Sequence, residues 1–255
     1  MRRGNFKTRL LIGLVVIVFA FLRKCSQEET NSYTGRTQAI SLSPDQEIAI
    51  GLQSAPQMAQ QHGGLHQEQR YQDKVDEVGN KLVNNSTAKD SPYNYEFHLL
   101  ADANTINAFA LPGGQIFITY ALFSKLENED QLAGVLGHEI GHVLGRHSNE
   151  RITNADFWKY FVMGASAIDM GSIAQQYGQG TLLKNGRGDE LESDDLGVLF
   201  MINSGYNPEE MIGVMEILKS AAGPNRMPEF QSTHPDPENR IQKIKEAISK
   251  YKKAS

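Results

Sequence analysis

The residues best able to do chemistry lie together at His138-Glu139-Ile140-Gly141-His142. On an α-helix, residues four apart are turned through about 400°, so both imidazoles project from one face. Two imidazoles at that spacing can reach one zinc ion, and Glu139 beside them can take a proton from an attacking water. The bland alternative is a surface helix with two stray histidines. The neighbours argue against it. Leu132, Val135, Leu136 and Val143 form an apolar stripe, and Gly134, Gly137 and Gly141 run along the same segment. Each glycine costs a helix about 1 kcal/mol, which implies close packing or a backbone that something approaches.

A catalytic zinc takes three protein ligands and leaves one position open. The pattern HExxHxxGxxH would take the third ligand from just downstream. Gly145 fits it, but the required position is Ser148, and His147 falls one residue early. A later carboxylate is the other route. Glu190-Leu191-Glu192-Ser193-Asp194 places Glu190 and Asp194 on one helical face, with Glu192 about 200° from Glu190. Glu190 can bind the metal. Asp194, one turn on, can accept a hydrogen bond from the other nitrogen of a donor histidine and fix its tautomer. Five acids between Asp189 and Asp195 would otherwise read as a solvated acidic helix start.

Several elements must position these groups. Ser43-Pro44-Asp45-Gln46-Glu47 starts a helix that runs to about Gln60, with Ser43 as cap and Pro44 in the first turn. Tyr71, Val75, Val78 and Leu82 recur at helical spacing, and Tyr93, Tyr95, Phe97 and Leu99 alternate as in a half-buried strand. Residues 107–110 and 116–119 flank Leu111-Pro112-Gly113-Gly114, a hairpin pattern. The motif helix starts near Asn128. An apolar stretch covers 157–173, where Trp158, Phe157, Tyr160 and Phe161 read as core or a lid. Residues 174–188 read as a loop, and helices follow at about 188–203, 208–221 and 237–252. The fold class expected is α+β, mainly helical, with one small β-sheet, in a single domain over 43–255. If the motif helix runs on, His147 points about 180° from His138 and is not a ligand. His62 and His66 read as solvated, and His98 as facing away from the core.

The front of the chain differs from the body. Net charge is −5, yet residues 1–24 carry six basic groups and no acid, which leaves −11 for the remainder. That balance gives no electrostatic case for nucleic acid. Hydrophobic residues at 40 % and charged residues at 22 % exclude a wholly disordered or multi-spanning chain. One cysteine, Cys25, excludes a disulfide framework. Leu10 to Leu22 is uncharged and apolar between Arg9 and Arg23, and reads as an uncleaved signal-type membrane anchor over 1–24. Arg23 and Lys24 stand where a lipobox before Cys25 needs small residues. Residues 25–42 read as a polar linker.

With these motifs in order, the chain resembles the HtpX and CAAX-prenyl-endopeptidase type of gluzincin zinc metallopeptidases. It is closer to their single-domain envelope branch than to the polytopic members. The resemblance covers about residues 43–250. It rests on Asn107-Ala108-Phe109-Ala110 with Pro112-Gly113-Gly114, on His138 to His142 followed by Arg146-His147, on Glu190 to Asp194, and on Thr233-His234-Pro235. It implies one Zn²⁺ per chain on His138, His142 and Glu190, Glu139 as general base, and Asp194 supporting a donor from behind. It also implies that Asn107 to Ala110 is an edge strand pairing with an extended substrate, and that His234 stabilises the oxyanion. Arg240 matches a basic position of the closing segment. Ser193 stands where relatives often carry Ala. The activity implied is endopeptidase action on exported or envelope proteins in quality control, periplasm-facing in a bacterial envelope. The substrates would be proteins or peptides, and no protein partner is indicated. A chaperone-like assembly factor with a mainly structural zinc site is the alternative.

Overall fold

The computed structural model describes residues 6–221, 234 and 239–253. The chain forms two compact units, Met1–Leu42 with Ser148–Gly186, and Ser43–His147 with Arg187–Ser255. The stretch expected as one domain over 43–255 therefore contributes to both units.

The second unit carries the motif. Helix α2 (Pro44–Gln61) starts on a capping box in which Ser43 and Gln46 each accept from the other's backbone N–H. Helix α3 (Gln69–Asn84) buries Val75, Val78 and Leu82. Strands β3 (Glu96–Leu100), β4 (Ala108–Ala110) and β5 (Gln115–Thr119) form a three-stranded sheet in the order β3-β5-β4. β3 runs parallel to β5, and β4 pairs antiparallel with it, Phe109 opposite Phe117. All five residues of β5 are buried, as a central strand covered on both faces requires. The hairpin turn holds Gly113 at φ 83°, and a Cβ there would lie 2.4 Å from the Ile48 backbone of α2. Only glycine fits that approach.

The short helix α4 (Tyr120–Phe123) leads to the motif helix α5 (Glu129–Leu144). Asn128 caps α5 by accepting from the Gln131 N–H, and Glu129 and Asp130 complement its dipole. Every residue from Gln131 to Leu144 is buried. Helix α7 (Gly171–Asn203) crosses α5 in its second half, and α8 (Glu210–Ala221) and α9 (Arg240–Lys252) complete the unit. The crossing is close because both sides are small. A Cβ on Gly141 would sit 3.0 Å from the Cα of Ser193, and one on Gly137 3.4 Å from the Cα of Gly197.

The first unit holds α1 (Phe6–Cys25), strands β1 (Glu28–Thr30) and β2 (Thr37–Ala39), most of α6 (His147–Ser166) and the first half of α7. Residues expected as linker form the β1–β2 hairpin, a second sheet. Its turn rests on Asn31, whose Oδ1 accepts from the backbone N–H of Tyr33 and Thr34. Among the described residues, no helix is long and apolar enough to cross a membrane. The apolar run of α1 is about 20 Å at 1.5 Å per residue, against about 30 Å of hydrocarbon. Of the segment expected as a membrane anchor over 1–24, the described part from Phe6 on is helix α1, which is too short in its apolar run to span and packs on α6. Phe21 meets Phe157 edge-on at 5.3 Å, and Gly13 abuts Gly164. Residues 174–188, expected as a loop, continue α7 as helix. Gly178, which argued for a loop, brings that helix against Trp158, where a Cβ would lie 2.8 Å from the indole. Trp158 and Phe157 belong to these contacts.

Candidate metal centre

α5 presents His138 and His142 one turn apart, and α7 brings Glu190 opposite them. Their Nε2 atoms lie 3.0 Å from each other. Glu190 Oε2 is 3.3 Å from His138 Nε2, and Oε1 is 3.4 Å from His142 Nε2. His234 joins them: its Nδ1 is 3.1 Å from Glu190 Oε2 and 3.3 Å from His138 Nε2. One donor atom from each of these four residues lies within 4.8 Å of the others. The set fits a cation. The Nε2 lone pairs converge, and the fully buried Glu190 Oε1 has no hydrogen-bond partner among the described residues. Neither carboxylate oxygen of Glu139, also fully buried, has a hydrogen-bond partner among the described residues, and His234 Nε2 stands 3.6 Å from its Oε1.

The support behind the donors is ordered. Asp194 Oδ1 lies 2.8 Å from His138 Nδ1, so the proton on Nδ1 leaves Nε2 a lone pair for the metal position. Arg240 clamps Asp194, donating from Nε to Oδ2 at 2.7 Å and from Nη2 to Oδ1 at 2.9 Å. Burial alone would raise the Asp194 and Glu190 pKa values. The charge of Arg240 at Asp194, and of His234 and His142 at Glu190, outweighs it and holds both carboxyls down. Burial alone would likewise lower His138, but hydrogen bonds to Asp194 and Glu190 raise it to about 9. Burial pushes His142 well below its ordinary value and pushes Glu139 up. The carboxylates thus keep a field that favours positive charge among the donors.

β4 lies at one edge of the three-stranded sheet, and its Ala108 reaches this cluster. Asn107 itself faces inward: its carbonyl and its N–H both bond Thr119. Since Asn107 and Leu111 bond β5, the backbone groups of Ala108 and Ala110 point to the open side. There the Ala108 carbonyl accepts from His234 Nε2 at 3.2 Å. Of the segment around His234, Thr233 and Pro235 lie outside the described residues.

Three expectations differ from the structure. His62 is buried and paired with Asp102 at 3.1 Å, and His66 stacks on Tyr120 at 4.6 Å, so neither is simply solvated. α5 stops at Leu144, with Gly145 as its cap and Arg146 at φ 55°, so the helical angle assigned to His147 does not apply. His147 is buried 2.8 Å from the Nδ1 of His142, and Glu192 is 2.7 Å from its other nitrogen. The signal for this turn was Gly145 read as a helix end.

A buried helix with two imidazole donors, a glutamate between them and a carboxylate from a later helix define a zincin-like metallopeptidase. The chain belongs to peptidase family M48, whose family model matches residues 69–248. That family is one of metal-dependent peptidases. The chain is 30 % identical over 232 residues to the Beta-barrel assembly-enhancing protease of Yersinia pestis, covering 86 % of this chain and 47 % of that one. It is 33 % identical over 160 residues to the Mitochondrial metalloendopeptidase OMA1 of Schizosaccharomyces pombe, covering 61 % and 47 %. To Metalloprotease YcaL of Escherichia coli it is 27 % identical over 226 residues, covering 84 % and 85 %. The chain spans about half the length of the first two relatives.

Proposed function

We propose that the chain is a zinc endopeptidase with one ion per chain, held by His138, His142 and Glu190. The observation that carries this is the buried donor set with the Glu139 carboxylate beside it, whose oxygens accept no hydrogen bond among the described residues. Zinc in such a site polarises the scissile carbonyl and lowers the pKa of the attacking water. Glu139 accepts the proton of that water and hands it to the leaving amine. Burial pushes its pKa up, which favours accepting that proton. Asp194, steadied by Arg240, keeps His138 in the tautomer that binds metal. The open side of Ala108 and Ala110 receives an extended substrate by backbone pairing. His234 closes the donor set in the arrangement seen. Stabilising the oxyanion requires its Nδ1 to turn from Glu190 toward the substrate.

The same proposal places the chain in protein quality control in a bacterial envelope, facing the periplasm; the name of the Yersinia pestis relative, Beta-barrel assembly-enhancing protease, supports a link to protein assembly. The test uses the full chain. Glu139→Gln keeps stoichiometric zinc by elemental analysis and loses casein cleavage by at least about 100-fold. Wild-type cleavage by that variant refutes the general-base role, and a wild type without zinc refutes the metal.

A further inference from the structure

His142 is the donor whose support the motif does not explain. His138 has Asp194 directly behind it, but no carboxylate is 2.8 Å from the Nδ1 of His142; another imidazole is. For Nε2 of His142 to offer a lone pair to the metal, its proton must sit on Nδ1. That N–H points at His147 Nδ1, 2.8 Å away, and two ring nitrogens at this distance share one proton. His147 Nδ1 must then accept, which puts the His147 proton on Nε2. Nε2 lies 2.7 Å from Glu192 Oε2, with Asp189 Oδ1 further off at 3.9 Å. Each step admits one direction: His142 donates to His147, and His147 donates to Glu192. Ser193 Oγ, 3.3 Å from His147 Nδ1, is the weaker contact there.

The local backbone is shaped for this contact. Gly145 ends α5, and Arg146 takes a left-handed conformation that turns the chain back. The His147 ring then lies directly over Gly145, where a Cβ would meet its Nε2 at 2.3 Å. Arg146 is kept in that turn by Glu47, which accepts from its Nη2 at 2.9 Å and its Nε at 3.1 Å. His147 itself is 1 % exposed. Glu192, which faces away from Glu190 along α7, is thus aimed at the imidazole behind the site.

We propose that His147, held by Glu192, is a positioning residue that fixes the tautomer and ring orientation of the metal donor His142. The inference rests on the zinc reading above. Groups behind a metal-bound histidine typically change metal affinity by about 10- to 100-fold.

The test measures zinc affinity of the full chain by competition with a chromophoric chelator, with the apo protein's thermal midpoint followed in parallel. His147→Ala weakens zinc by about 10- to 100-fold. His147→Asn, whose Oδ1 can accept from His142 Nδ1, restores part of that loss. Gly145→Ala, which displaces the ring without removing it, weakens zinc as well, and so does Glu192→Ala. If His147→Ala does not fold, Gly145→Ala and Glu192→Ala decide the matter. Wild-type affinity in the folded variants overturns the proposal, as does a fall in apo stability with zinc affinity unchanged. Glu190→Ala separates the two levels. If it loses zinc while His147→Ala keeps it, only the positioning role fails. If it too keeps wild-type affinity, the metal reading itself fails.

Discussion

Gly141→Ala is the substitution whose outcome most directly tests how α5 and α7 assemble the site. Two effects oppose each other. Alanine in a helix interior is favoured over glycine by about 1 kcal/mol. Against that, the new Cβ would meet the Cα and carbonyl oxygen of Ser193 at 3.0 Å and its Cβ at 3.3 Å. The atoms met are mainly backbone, so relief requires α7 to move by a few tenths of an ångström. Overpacking of this kind costs about 1–3 kcal/mol. The packing cost wins, for a net loss of about 1 kcal/mol. The moving segment carries Glu190 and Asp194, so the 2.8 Å contact from Asp194 to His138 lengthens and zinc affinity falls. Gly134 in the same helix is the control. A Cβ there meets Met211 at 3.4 Å, an ordinary contact, so Gly134→Ala gains about 1 kcal/mol. Urea denaturation followed by circular dichroism should separate the two variants by about 2 kcal/mol. Equal stabilisation, with zinc affinity unchanged in both, would refute the close crossing.

Two further outcomes follow from the charges. Arg240→Ala leaves Asp194 ionised and buried without its clamp, which costs about 3–5 kcal/mol in denaturation and weakens zinc. Arg240→Lys restores less than half of the loss, because an ammonium cannot reproduce the two-point contact. Asp102 gives a pH dependence. Burial tends to raise its pKa, but hydrogen bonds from Thr105, the Asn104 backbone and His62 outweigh that and lower it to about 2, below the ordinary carboxylate range. A folded pKa below the unfolded one gives stability that is full above about pH 4 and is lost as pH falls toward 2. Asp102→Asn therefore narrows the gap to wild type in thermal midpoint as pH falls from 5 to 2.5, and a constant gap contradicts the assignment.

How far the sequence revealed the site depends on whether each part is decided locally. The motif helix was legible because its spacing, cap and apolar stripe all lie within residues 128–144. Glu190 and Asp194 were legible because four-residue spacing on α7 sets their common face, and the same arithmetic turned Glu192 away. What Glu192 is turned toward was not legible. α5 ends at Leu144, and Arg146 just beyond it takes a left-handed conformation that glycine adopts freely and arginine adopts at a cost of about 1 kcal/mol or more. The one local signal was Gly145, and an angle that assumes the helix continues past it does not apply to His147. The compensation for Arg146 comes from Glu47, 99 residues away, itself buried and hydrogen-bonded to Tyr93. Residues 174–188 failed by the same logic in reverse. Their glycines signal a break locally, but Gly178 serves a contact with Trp158 that only the folded chain reveals. A local code thus suffices for the donors themselves. The groups that hold a donor from behind depend on where a helix stops, and here a distant ion pair decides that.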